Sequence, residues 1–253
     1  MQIEVFERES DAIDGAAEAI AAAIVAAGEG AVVALPGGRL GRALLTTLAG
    51  HGELPWASTR WMATDEACGS ERPPDSTREV IMGSALSPNR VPARELCVPD
   101  PTVGASAARE DWDARVRTLI AARGAIDLIV LTAGADGSVA GLAAGEPATG
   151  TVVLGRNDVV SLGEDALAAA RKVVLVATGA SVEAALMGAL TQTIDVVSRP
   201  LQRVLPDATR VTWFVDRAAV AGISASLSFP PLPAEFSADE VRLQFVFLYN
   251  MKR

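Results

Sequence analysis

Seven residues, Ile126–Thr132 (IDLIVLT), constrain the fold of this chain more than any other stretch. A half-exposed strand alternates apolar and polar residues. A nearly unbroken apolar run of this length is instead a strand covered on both faces, the habit of parallel sheets. AVVAL (Ala31–Leu35), VVLVAT (Val173–Thr178) and VTWFVD (Val211–Asp216) repeat the pattern. Ile3–Phe6 is a short strand, TRWMATDE carries one ending near Asp65, and LQFVFLY (Leu243–Tyr249) reads as the last. Helical periodicity fills the intervals. Asp11 precedes a face of Ile13, Ala17, Ile20 and Ile24 that closes at Gly28. A second helix runs from about Gly41 to Leu48. A third runs over Ala105–Ala122 with Trp112, Val116, Leu119 and Ile120 inward, and ASVEAALMGAL gives a fourth. Strands alternating with helices specify an α/β fold, a mostly parallel sheet with right-handed crossovers and helices on both faces. No repeat or linker divides the chain. Residues 1–220 read as one Rossmann-like domain, and 221–253 as an extension packed on it.

With 50% hydrophobic but only 4% aromatic residues, the core must be built from Ala, Val, Leu and Ile. A net charge of −9 repels phosphate backbones and argues against nucleic acid as a partner. Cys68 and Cys97 are too few for a disulfide framework, which favours a reducing compartment. The opening MQIEVFERES lacks the apolar centre of a signal peptide, and no apolar run approaches the roughly 20 residues of a membrane span. The expectation is a cytoplasmic protein that does not bind membranes.

Ligands of open parallel sheets sit beyond the C-terminal strand ends. That rule selects four loops: Pro36–Gly41, Asp65–Ser76, Ala133–Ser138 and Thr178–Ser181. Gly37 and Gly38 before a helix let the backbone turn tightly and aim N–H groups at an anion, with Arg39 as a charged donor. A plain strand-to-helix turn explains them equally well. Asp65 and Glu66 are a carboxylate pair suited to acid–base work, or else a solvated turn or helix cap. Asp136-Gly137-Ser138 has the same two readings. Cys68 lacks a histidine partner that would make it a nucleophile. The single histidine, His51, lies in the loop AGHGELP and reads as exposed and structural. Metal-ligand spacing is absent, and no cofactor is expected.

Taken in order, these segments resemble the 6-phosphogluconolactonase family, which is grouped with glucosamine-6-phosphate deaminase and sugar-phosphate isomerases. IEVFERESDAIDGAAEAIAAAI is similar to the family's first strand and helix. ALPGGRLGRALLTTL stands where the family has Ser-Gly-Gly-Ser-Thr-Pro. WMATDEACGSERPPDSTREVI is similar to its Asp-Glu-Arg segment and later Asp-Ser-Asn. IDLIVLTAGADGSVAGLAAG resembles Gly-x-Asp-Gly-His-x-Ala-Ser-Leu-Phe-Pro-Gly. KVVLVATGASVEAALMGAL stands where the family has Gly-x-x-Lys, and LPDATRVTWFVDRAAV is similar to its closing strand. The resemblance implies a sugar-phosphate pocket. Asp65, Glu66, Asp136 and Ser138 would stand at catalytic positions. Gly37, Gly38, Ser76, Gly134, Gly137 and Gly179 would bind substrate, and Arg39 or Arg78, outside the family pattern, would restore part of the positive charge from a different direction.

The departures are specific. Ser138 replaces the signature histidine, Ala67 the arginine of Asp-Glu-Arg, and Val182 the lysine of Gly-x-x-Lys. Arg39-Leu40-Gly41 replaces Ser-Thr-Pro. Removing a positioned general base costs about 10²–10⁴ in rate, and each lost hydrogen bond to charge about 1.5–3 kcal/mol. Serine does not ionise near neutral pH and cannot serve as that base. Four readings follow: a lactonase using Asp65 or Asp136; an isomerase or deaminase with Asp65 as proton shuttle; a non-catalytic ligand- or partner-binding relative; and an enzyme on an unphosphorylated substrate. The apolar tail would extend the sheet, cover the site, or pair with a second subunit in a homodimer.

Overall fold

The computed structural model describes residues 2–51, 54–69, 76–83, 91–146 and 148–226. β1 (Gln2–Phe6) leads into α1 (Glu9–Ala27), then β2 (Val32–Leu35), α2 (Gly38–Ala49), β3 (Arg60–Ala63) and β4 (Asp65–Ala67). α3 (Thr77–Met82), β5 (Leu96–Cys97), α4 (Ala105–Arg123) and β6 (Ile126–Thr132) follow. Next come β7 (Val152–Leu154), β8 (Val159–Leu162), α5 (Glu164–Ala168) and β9 (Ala170–Ala177). α6 (Glu183–Thr191), β10 (Val211–Asp216) and α7 (Ala221–Ser226) complete the order.

Seven strands form an all-parallel sheet in the order β1-β10-β9-β6-β2-β3-β5. β6 lies at its centre, and its first six residues are buried, as an unbroken apolar run requires. The one charge inside it is neutralised. Asp127 accepts from the Val32 N–H (2.9 Å), from Arg123 (2.9 Å) and from Arg171 (2.6 Å). The core is largely aliphatic, as composition requires, and Trp61, Trp112 and Trp213 are also completely buried within it. On α1, Ile13, Ala17, Ile20 and Ile24 all face inward. On α4, Trp112 and Val116 are buried, while Leu119 and Ile120 are only partly covered.

The strand expected to run to Asp65 is broken at Thr64. β3 belongs to the large sheet, but β4 pairs antiparallel with β8 in a small sheet ordered β4-β8-β7. Thr64 makes the transfer: its N–H donates to Leu35 O (3.0 Å), and its own carbonyl accepts from Leu162 N (2.9 Å). The chain therefore turns sharply just where β3 ends, which lifts Asp65 over the strand tips. α2 begins at Gly38 rather than near Gly41, and α6 is preceded by a 3₁₀ turn at Ala180–Val182. Of the extension, Ala221–Ser226 is a helix whose Gly222 N–H donates to Glu183 on α6 (2.5 Å). The expected strand at 243–249 and positions 70–75 of the polar loop lie outside the described residues. Among the described residues, no helix is long and apolar enough to cross a membrane.

Candidate active site

A cavity of about 200 Å³ opens beyond the C-terminal ends of β2, β3 and β6. Gly37 and Gly38 form one wall, Thr64 and Asp65 a second, and Gly134 and Ser138 a third. The strand-end rule thus brings together residues separated by a hundred positions in sequence. Each wall has a local cause. Gly37 sits so close to α3 that a Cβ there would meet the Thr77 backbone N at 2.7 Å, which only glycine avoids. The first turn of α2, starting at Gly38, leaves N–H groups without intrahelical acceptors at this end. Gly134 packs under Ser138, where an added Cβ would lie 2.2 Å from the hydroxyl oxygen. The hairpin-like loop is closed by Gly134 N–H to Ser138 O (2.9 Å).

Among the described residues, Asp65 is the one ionisable side chain lining this cavity. It accepts a hydrogen bond from the Thr64 hydroxyl at 2.7 Å. Burial raises its pKa above the ordinary carboxylate value, and the Thr64 bond offsets only part of that rise. Glu66, next in sequence, points the other way, as alternation along β4 demands. It is fully buried and accepts from the Arg78 N–H at 2.5 Å. Burial pushes its carboxyl up to about 7, with a smaller push from Asp65, against the pull of the Arg78 N–H, the Ser76 hydroxyl and the Arg78 charge. Glu66 therefore holds the start of α3 rather than facing the cavity.

Asp136 is exposed and folded onto its own loop. The Ser138 N–H donates to it at 3.0 Å, and the Ser138 hydroxyl and N–H together hold its pKa below the usual value. With Gly137 it lines a neighbouring cavity of about 200 Å³ against α6, where Gln192, Ser198 and Arg199 contribute polar groups. The Gly134–Ser138 loop thus divides two cavities.

Other expected site residues serve the frame. Arg39 pairs with Glu9, which also accepts from Thr178 (2.7 Å), so its guanidinium is already committed. Ser76 caps α3 by accepting from Glu79 N (3.2 Å). The Arg78 side chain donates to Pro99 O (3.4 Å). The Gly179 N–H donates to Asp216 (2.9 Å) and is not free for a ligand. The Cys68 thiol is pushed up to about 11 by burial and by the nearby charges of Glu66, Asp158 and Asp100, so it stays protonated near neutrality. His51 is half-buried just beyond the C-terminal end of α2. A 12-residue helix, roughly 18 Å long, separates it from the glycine loop. No group of metal-ligating side chains occurs among the described residues.

The sequence reasoning missed Thr64, Thr132, Ala140 and Gly141, all in the lining of the first cavity. Ala140 adopts a left-handed φ of 50°, rare for a residue with a Cβ. The buried Ser161 hydroxyl donates to its carbonyl at 2.5 Å and braces the strained turn. Nothing local marks these positions; only the pairing of β8 with β4 brings Ser161 there.

Residues 7–213 match the family model described as glucosamine-6-phosphate isomerases/6-phosphogluconolactonase. Among solved structures, 6-phosphogluconolactonase from Trypanosoma brucei is 18% identical with a TM-score of 0.73, over 88% of this chain and 98% of that one. The 6-phosphogluconolactonase from Thermotoga maritima is 22% identical with a TM-score of 0.72, over 85% and 99%. A monomeric glucosamine-6-phosphate deaminase is 15% identical with a TM-score of 0.75, over 87% and 99%. At these identities the structural likeness establishes the fold. No curated protein is significantly similar to the chain.

Proposed function

The chain belongs to the family of glucosamine-6-phosphate isomerases and 6-phosphogluconolactonases, and from that premise we propose that it hydrolyses a sugar-phosphate lactone with Asp65 as the general base. The observation that carries the reading is the position of Asp65: a carboxylate at the meeting point of three strand ends, alone among the ionisable groups of the described residues that line its cavity. Its raised pKa makes the ionised form a stronger base than an ordinary aspartate. Asp65 takes a proton from water as the water oxygen attacks the lactone carbonyl, and the ring oxygen leaves as the alcohol of the open acid. N–H groups at the start of α2 are suited to the negative charge that develops on the carbonyl oxygen. Ser138 takes no proton in this scheme; it orders the loop through Asp136.

The same carboxylate supports a second reading, proton transfer between adjacent carbons of an aminosugar or ketose phosphate. What favours it is that a half-buried, easily protonated Asp65 can both take up and return a proton. The test is hydrolysis of fresh 6-phosphogluconolactone, corrected for spontaneous opening, beside solvent-deuterium incorporation into glucosamine 6-phosphate and fructose 6-phosphate. A lactone rate clearly above buffer supports the hydrolase. Deuterium at a sugar carbon without lactone turnover transfers the assignment to the isomerase or deaminase. Neither signal would overturn both.

A further inference from the structure

Among the described residues, the cavity that holds Asp65 has no cation in its lining. Arg39 is neutralised by Glu9, so nothing described there offsets the repulsion between that carboxylate and a phosphate dianion. Across the Gly134–Ser138 loop the wall carries a cation, Arg199, as well as the Asp136 carboxylate. Arg199 lines the second cavity with Gln192 and Ser198, and three small residues of α6, Ala184, Ala185 and Gly188, leave the space open. Most arginines of this acidic protein are drawn into ion pairs, among them Arg8, Arg39, Arg60, Arg123 and Arg171. Arg199 stands in none among the described residues. Its one side-chain hydrogen bond runs from a terminal nitrogen to Thr193 O (3.2 Å), which leaves most of its five N–H donors unused.

The two nearby acids are engaged mainly by their own loops. The Asp195 carboxylate accepts from the Val197 and Ser198 N–H groups (3.2 and 3.0 Å) and from the Ser198 hydroxyl, and it also feels the charge of Arg199 without forming an ion pair with it. Asp136 accepts from the Ser138 hydroxyl and N–H.

We infer that Arg199 binds the phosphate of a sugar-phosphate substrate in the cavity between the Gly134–Ser138 loop and α6, while the reacting carbon lies across that loop beside Asp65. This rests on the reading of the Asp65 cavity as the reaction centre, and it makes a phosphate monoester the preferred substrate class. Gln192 lines the same cavity as the guanidinium and adds a neutral amide there, an arrangement suited to phosphate oxygens.

The test compares binding of 6-phosphogluconate, gluconate, glucosamine 6-phosphate and inorganic phosphate to the wild-type chain and to Arg199→Gln and Arg199→Lys by titration calorimetry. Matched unliganded melting temperatures confirm that the variants fold. The expected result is that wild type binds 6-phosphogluconate at least tenfold tighter than gluconate, that Arg199→Gln abolishes the difference, and that Arg199→Lys restores part of it. Equal affinity of wild type and Arg199→Gln for 6-phosphogluconate would overturn the assignment of Arg199 while leaving the sugar-phosphate reading intact. Failure of both phosphosugars to bind the wild-type chain would remove that reading and this inference with it.

Discussion

At the scale of single residues, two adjacent carboxylates have been driven to different tasks by the alternation of a three-residue strand. Asp65 faces the cavity and Glu66 the interior. Asp65→Asn is expected to keep the fold and lose at least about a hundredfold in kcat/KM, the usual cost of a missing general base. On the proposed mechanism the acid limb of the wild-type pH–rate profile should lie above the ordinary aspartate range, because burial raises the Asp65 pKa and the base must be ionised. Glu66 answers to stability instead. Its folded value of about 7 exceeds its ordinary 4.5, so the folded state holds its proton more tightly than the unfolded chain does. Stability is then greatest at low pH, falls as pH rises through 4.5 toward 7, and levels above that. At about 1.36 kcal/mol per unit the whole fall from Glu66 is on the order of 3 kcal/mol. Glu66→Gln should flatten it, with urea denaturation at pH 5 and pH 8 as the measurement. An unchanged difference between the two pH values would show that Glu66 is not its source.

Elements show what local pattern reveals and what it hides. The Asp127 ion cluster ties β6 to β2, α4 and β9, and Asp127→Ala leaves two arginines without their buried partner. Because both arginines reach solvent, the expected loss is about 1–3 kcal/mol, mainly from the Val32 N–H left without its acceptor, read as a lower urea midpoint. At the glycine loop, Gly37→Ala forces the loop away from Thr77. It should weaken ligand binding more than it lowers the melting temperature, measured by calorimetry on the folded variant. The long strands β6 and β10 begin and end where their apolar runs do, because burial on both faces leaves a plain signature. The break at Thr64 leaves none. Its cause is a hydrogen bond from Leu162, almost a hundred residues away. β7 and β8, of three and four residues, were equally hidden, and the start of α2 was masked by the poor helix propensity of its own glycines.

The whole molecule places its chemistry by topology. The described parts of the four loops singled out by the strand-end rule lie at one end of a seven-stranded parallel sheet, and residues of three of them, with Thr64, line the first cavity. Sequence could name Gly37, Gly38, Asp65, Gly134 and Ser138. It could not tell that Asp136 and Gly137 would face a separate cavity, nor that Arg39 would be spent on Glu9 from the start of α1. Those outcomes depend on how α1, α2 and α6 dock on the sheet, which no window of sequence records. On our reading, with Ser138 where the resemblance would put a histidine, the proton-transfer role rests on a carboxylate lifted over the strand tips. The most direct trial is a side-by-side assay of wild type, Asp65→Asn and Asp136→Asn on fresh 6-phosphogluconolactone with spontaneous opening subtracted. The account predicts a rate above buffer in wild type, its loss in Asp65→Asn, and no more than a few-fold change in Asp136→Asn. Loss in Asp136→Asn with Asp65→Asn still active would contradict it.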